Sequence, residues 1–154
     1  MEFDDFDRRL LEALQQDNRQ TGDELAAKVG LSAAACLRRA QRLREIGAIA
    51  RDVALLAPEA VGRPLTVIVL VTIRRDSPDA GDRFKAAMQV APEVTQCYYV
   101  TGSADYVLAV SVEDMEAYQR FTQRCLSGSS IKRFDSLVSM DRVKFETALP
   151  VARD

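Results

Sequence analysis

An α+β fold in two parts is predicted for this chain, and three observations predict it. Residues 3–47 carry apolar side chains at helical spacing in three short runs, each bounded by capping residues. Residues 65–145 alternate dense β-branched runs with two helical stripes, in the order βαββαβ. Between them, residues 49–63 hold Pro58 and Gly62, with Pro64 following, and read as a strand and a hinge. The expected division is 1–48 for a three-helix domain, 49–63 for the hinge strand and linker, and 64–154 for an α/β sandwich. A chain of 154 residues with 47% hydrophobic and 29% charged content has room and material for both cores.

In the first helix, over residues 3–16, Phe6, Leu10, Leu11 and Leu14 share a face. Asp4 is placed to cap it, and Asp7 puts negative charge in the first turn, where the helix dipole favours it. Thr21 and Glu24, three apart, form a capping box for a second helix that carries Leu25, Ala26 and Val29 and stops at Gly30. Ser32 is placed to cap the third helix and Gly47 to end it. At about 100° per residue, Ala33, Cys36, Leu37, Ala40, Leu43 and Gly47 fall on one apolar arc. Ala34, Ala35, Arg38, Gln41, Arg42 and Glu45 fall on the opposite arc.

Three helices, the last two joined by a tight Gly-containing turn, make a helix-turn-helix, read here as the winged type with the strand that follows. Small residues and arginines on the open arc suit insertion into a DNA groove, and Ser32, Ala34, Arg38, Arg39 and Arg42 are the candidate contacts. A solvated basic face on an ordinary core helix is the alternative. The charge distribution favours DNA. The whole chain has a net charge of −2, and residues 1–31 hold 4 basic against 8 acidic side chains, but residues 32–51 hold 5 basic against 1 acidic.

In the second half, residues 65–73 (LTVIVLVTI) are too densely apolar for a strand covered on one face only. Ser77-Pro78 opens a helix whose stripe is Phe84, Ala87, Met88 and Ala91. Strands follow at residues 94–100 and 106–112, joined by Thr101-Gly102-Ser103-Ala104-Asp105. Asp114 or Glu113 opens a second helix with Met115, Tyr118, Thr122, Cys125 and Leu126 on one face, and residues 131–145 supply a long last strand. This order describes a ferredoxin-like sandwich, with two helices on one face of an antiparallel sheet. The other face is expected to meet a second copy of the chain.

Several classes of function find no support. Histidine is absent, which removes the commonest general base and metal ligand, and no Ser/Cys/His arrangement or carboxylate pair at useful spacing stands out. Cys36, Cys97 and Cys125 are widely spaced among apolar neighbours and read as buried, reduced thiols rather than a disulfide framework or metal site. No apolar run approaches the ~20 residues of a membrane helix, and the acidic opening is unlike a signal peptide, so the cytoplasm is the expected compartment. No enzyme activity, cofactor or metal is expected.

The stretches FDDFDRRLLEALQQDNR, ELAAKVGLSAAACLRRAQRLREIG with the following ALLAPEAVG, CYYVTGSADYVL and VSMDRVK, in that order and spacing, resemble the Lrp/AsnC family of bacterial and archaeal transcription regulators. The resemblance implies a DNA-binding helix-turn-helix joined to an effector domain, dimers that assemble into octamers, and an amino-acid effector bound between dimers near the loop after the sandwich's second strand. It places Arg39 on the family's arginine position, and Arg38 where residue type varies between members. Ala33, Ala34 and Ala35 depart from the family's Ser-Pro-Thr-Pro-Cys opening, of which Ser32 and Cys36 remain. The effector loop corresponds to Val100, Thr101, Gly102, Ser103, Ala104, Asp105 and Tyr106, and Ser136 lies where relatives place a Thr or Ser near the same pocket. Ser103 replaces the first acid of the family's Gly-Asp-x-Asp-Tyr. Asp105 is then either an acceptor for an α-ammonium group or a turn-capping carboxylate. Two other readings stay open: a ligand-sensing module that does not bind DNA, and an enzyme similar to the sirohaem decarboxylases. The latter rely on an active-site histidine, which this chain lacks.

Overall fold

Each helix of the first unit begins on a side chain that satisfies a backbone N–H left without a helical partner. The Asp4 carboxylate accepts from the Asp7 N–H at 2.8 Å and starts α1 (Asp5–Gln16). The Thr21 N–H donates to the Glu24 carboxylate at 2.6 Å and the Glu24 N–H to the Thr21 hydroxyl at 3.3 Å, which starts α2 (Gly22–Val29). Gly30, at φ 82°, ends α2 in the left-handed conformation that glycine adopts without strain. The Ser32 hydroxyl accepts from the Ala35 N–H at 3.3 Å and starts α3 (Ala33–Glu45).

The computed structural model describes residues 2–74, 78–128 and 130–152. They divide into two units: residues up to Ala54 together with those from Lys144 onward, and Leu55–Val143. The first unit is built on Leu10, Ala13, Leu14, Leu25, Val29, Cys36, Ala40 and Leu43. A Cβ added at Gly22 would stand 3.2 Å from both the Ala33 Cβ and the Leu37 Cδ1, so the absent side chain sets how closely α2 approaches α3. The tail returns to α1. The Gln15 amide donates to the Leu149 carbonyl at 3.0 Å and accepts from the Leu149 N–H at 2.6 Å, and Arg8 donates to the Ala152 carbonyl at 2.9 Å.

The second unit contains a 3-10 turn (Glu59–Val61), β1 (Leu65–Ile73), α4 (Ala80–Val90), β2 (Val94–Tyr99), β3 (Tyr106–Val112), α5 (Met115–Cys125) and β4 (Ile131–Val138). The four strands form one antiparallel sheet in the order β2-β3-β1-β4. Val67, Val69 and Val71 of β1, with Leu108 and Val110 of β3, are buried beneath Phe84 and Met88 of α4 and Tyr118 and Phe121 of α5. Ile68, Leu70, Val107 and Ala109 project from the other face and are half-exposed, and neither helix of this unit covers them. Burial along β1 and β3 therefore alternates within the single chain, although the β1 sequence is apolar throughout.

Several expectations from sequence are corrected. Within the single chain, residues 51–57 of the expected hinge stretch 49–63 have no ladder partner among the described residues and are not paired as a strand. The last strand ends at Val138 rather than near 145. Its register against β1 runs out at Val67, with the Ser139 N–H on the Thr66 carbonyl as a final rung. The helix after β1 starts at Ala80, past Pro78; Ser77 lies outside the described residues. Ala87 is exposed. Leu37, on the apolar arc of the third helix, is 54% exposed. Cys97 is exposed as well, because β2 is an edge strand with a helix along only part of it.

Candidate DNA interface and effector loop

The buried side of α3 is Cys36, Ala40 and Leu43, so the side turned to solvent is centred on Arg38 and Glu45 and flanked by Ala34, Gln41 and Arg42. All five are exposed. Arg38 has no hydrogen-bond or ion-pair partner for its guanidinium among the described residues. Gln41 donates to Glu45 at 3.0 Å along the helix. Ser32, at the start of α3, is exposed while its hydroxyl caps the helix. Gln41 and Leu37 belong to the open face and were passed over as contact candidates from sequence. Gln41 was visible on the wheel, whereas the exposure of Leu37 depends on how α2 sits.

Arg39 and Arg42 are differently placed from Arg38. Arg39 donates to Asp4 at 2.7 Å and to Asp7 at 2.9 Å, and Arg42 donates to the other Asp7 oxygen at 2.5 Å. The Asp7 side chain is only 3% exposed, and the Arg39 guanidinium also lies 5.7 Å from the Phe6 ring. The backbone N–H of Asp7 holds the Asp4 carboxyl below the usual carboxylate range, with Arg39 adding to it, and the two carboxylates raise the Arg39 guanidinium. These four side chains, with Glu2 and Phe3, line a groove of about 500 Å³ beside α3. Asp7 is thus a partner of the arginines, not simply a first-turn charge.

In the second unit the loop after β2 is closed by its own backbone. The Val100 N–H donates to the Asp105 carbonyl at 2.9 Å, and the Asp105 N–H donates to the Val71 carbonyl at 2.9 Å. The Asp105 carboxylate accepts from the Ile73 N–H at 2.8 Å, which ties the loop to the end of β1. Gly102 has φ 127°, a conformation a side chain would strain. Thr101, Gly102 and Ser103 form the exposed tip, while Val100, Ala104 and Asp105 are half-buried. Tyr106 is turned away from that tip. Its ring is buried against Phe84 at 4.7 Å, with Tyr99 at 5.2 Å, and burial pushes its phenol upward.

Ser136 is not joined to this loop. It sits on β4 opposite Val69, and its hydroxyl shares a 2.5 Å hydrogen bond with the Tyr118 hydroxyl of α5. Beside that pair, Met115, Glu116, Tyr118, Gln119, Thr122 and Phe134 line an open groove of about 460 Å³. Spacing along the chain does not show it, because its walls are five residues of α5 and Phe134 of β4, which come together only in the folded unit.

The arrangement is a helix-turn-helix with an arginine-bearing outer face, followed by a ferredoxin-like domain. Residues 3–44 match the model of the AsnC-type helix-turn-helix domain and residues 66–149 that of the Lrp/AsnC ligand-binding domain. The chain belongs to the Lrp/AsnC family of transcriptional regulators. It is 49% identical over 152 residues to an HTH-type transcriptional regulator of Sinorhizobium fredii, spanning 98% of this chain and 90% of that one. It is 35% identical over 151 residues to the leucine-responsive regulatory protein of Escherichia coli, at 97% and 92% coverage. A transcriptional regulator from Neisseria meningitidis, solved with L-methionine, superposes with a TM-score of 0.92 at 35% identity, covering 97% of both chains. An AsnC family regulator from Agrobacterium tumefaciens gives 0.90 at 38% identity, covering 96% of this chain and 97% of the other. The chain is accordingly an Lrp/AsnC-type regulator with a DNA-binding and a ligand-binding domain.

Proposed function

We propose that this regulator binds a specific double-stranded DNA site as a homodimer, and that an amino acid or related small molecule alters that binding. The observation that carries the DNA half is the outer face of α3. It is a capped helix with a smooth alanine opening at Ala34 and an unpaired Arg38 beside Gln41, side chains whose donors match guanine and adenine edges. The dimer reading is supported by the bare sheet face of Ile68, Leu70, Val107 and Ala109, together with exposed Leu137 and Tyr98. A twofold partner there would also pair the two reading helices that a two-half-site operator requires.

The effector half rests on the loop Val100–Asp105, with the family likeness and the methionine-bound Neisseria relative behind it. Asp105 is held by β1, so the exposed tip and its backbone groups are the part offered to a ligand, and Ser136 would contribute only through a second copy or through the Tyr118 groove. Binding between dimers, within an octamer, would favour one arrangement of reading helices through differential affinity for two states. On this reading the protein is not an enzyme and works in the cytoplasm.

A gel shift on DNA upstream of the protein's own gene, at fixed salt, with and without each amino acid, tests both halves. Arg38→Ala is expected to weaken specific binding by about 5- to 150-fold, the range of one lost bidentate base contact. Unchanged binding by that variant removes α3 as the reading helix. A thermal-shift series across the amino acids checks the effector, since a ligand that binds only the folded state raises the melting temperature. No shift with any of them defeats the effector reading.

A further inference from the structure

The ion-pair network between α1 and α3 bears on how DNA is discriminated. We propose that Asp7, assisted by Asp4, is a specificity-determining residue of the DNA-reading face, holding Arg39 and Arg42 as charge-cancelled forks so that sequence-independent attraction to phosphate is suppressed and discrimination falls to Arg38 and Gln41. The inference rests on α3 being the reading helix.

Asp7 is the buried charged residue of the described core, and both its oxygens are engaged, one by Arg39 and the other by Arg42. A buried carboxylate persists as an anion only when paired in this way. The arginines are not buried with it: the side chain of Arg42 is 48% exposed and that of Arg39 31%. Each therefore keeps N–H donors toward solvent while its charge is met from behind. Two cations, Arg39 and Arg42, face two anions, Asp4 and Asp7, and the cluster is neutral. Non-specific DNA binding grows with the number of phosphates that a surface can neutralise. A neutral cluster adds little to that term but still offers directed hydrogen bonds at a fixed place on the helix. A face built only for affinity would leave these arginines unpaired.

The experiment compares Asp7→Asn, Asp4→Asn and Arg38→Ala in the full-length protein, measuring affinity for the operator and for unrelated DNA over a range of salt. Asp7→Asn keeps the side-chain shape and raises the local charge by one per chain. Affinity for unrelated DNA is expected to rise several-fold at low salt. The slope of log K against log salt steepens by about 0.9 for each phosphate gained per subunit, and the ratio of specific to non-specific affinity falls. Asp4→Asn, where asparagine caps a helix as well as aspartate does, shifts both readouts in the same direction by less. It decides the matter if Asp7→Asn fails to fold. Folded variants with unchanged slope and ratio overturn the inference, as does a uniform loss of affinity at unchanged slope, which marks Asp7 as a packing residue alone. If Arg38→Ala weakens specific binding while the aspartate variants leave slope and ratio unmoved, the reading helix stands and only this inference falls. If Arg38→Ala changes nothing, the reading helix itself is misplaced.

Discussion

The three cysteines occupy three different environments, although each sits among apolar neighbours in the sequence. Cys36 is fully buried under α3, Cys125 is partly buried at the end of α5, and Cys97 stands exposed on the edge strand β2. Local desolvation pushes the Cys97 thiol upward, which lowers the fraction present as reactive thiolate at neutral pH. Iodoacetamide followed by mass spectrometry is expected to label Cys97 in the folded protein, more slowly than a small free thiol and faster as pH rises. Cys36 should stay unlabelled until the protein is denatured. Which side of a helix is apolar can be read from spacing alone, and for Cys36 that was sufficient. What stands across from a side chain cannot be read that way. Asp7 shows it, because its position in the first turn of α1 was plain, but its burial between two arginines depends on how α1 crosses α3. The matching three-residue spacings of Asp4 with Asp7 and of Arg39 with Arg42 were the one trace of it in the sequence.

At the scale of elements, capping residues fixed the helix starts closely: Asp4, Thr21, Ser32 and Asp114 each accept the N–H three positions on. Strand limits were less legible. Residues 139–145 continue the apolar content of β4 and residues 51–57 read as extended, but a strand exists only where a neighbour offers a ladder. The α2–α3 packing depends on Gly22, whose missing side chain leaves room for Ala33 and Leu37. Gly22→Val forces branched methyls into that contact. It is expected to cost about 1–3 kcal/mol, the usual range for overpacking, seen as a lower melting temperature. Because the Ala33 Cβ is fixed to the start of α3, DNA binding should weaken in the same variant even below the melting transition.

For the whole molecule, acid is the condition that loosens the fold. Asp4, Glu24 and Asp52 are held below the usual carboxylate range, Asp4 chiefly by the Asp7 N–H, Glu24 by Thr21 and Asp52 by Arg44. Glu93 joins them. Burial would raise it, but the Arg124 Nη2, at 2.7 Å from each oxygen, with a backbone N–H and the charge of Arg63, outweighs this and leaves it lowered. A carboxylate lowered by folding stabilises the native state above its unfolded pKa, and this stabilisation is lost as pH falls through the folded value. Stability should therefore be level near neutrality and decline below about pH 4–5, where unfolded carboxylates take up protons. Glu93→Gln is expected to lower stability at pH 7 by the order of 1 kcal/mol. It should also flatten the decline, as followed by denaturant melts across pH. The two-part architecture, the βαββαβ order and the bare sheet face were all legible in periodicity. The loop 100–105 was located as well, but not the use of Asp105 to fasten it to β1, because that bond joins residues 32 apart in sequence.

The return of the tail to α1 has a consequence for the order in which the protein matures. The three helices leave the ribosome ahead of the sheet domain, yet the backbone that meets Gln15 and Arg8, around Leu149 and Ala152, is translated after that domain. Of the two units, the one begun earlier is thus closed later. A nascent chain halted anywhere before Lys144 carries reading helices whose α1 still lacks its final hydrogen bonds.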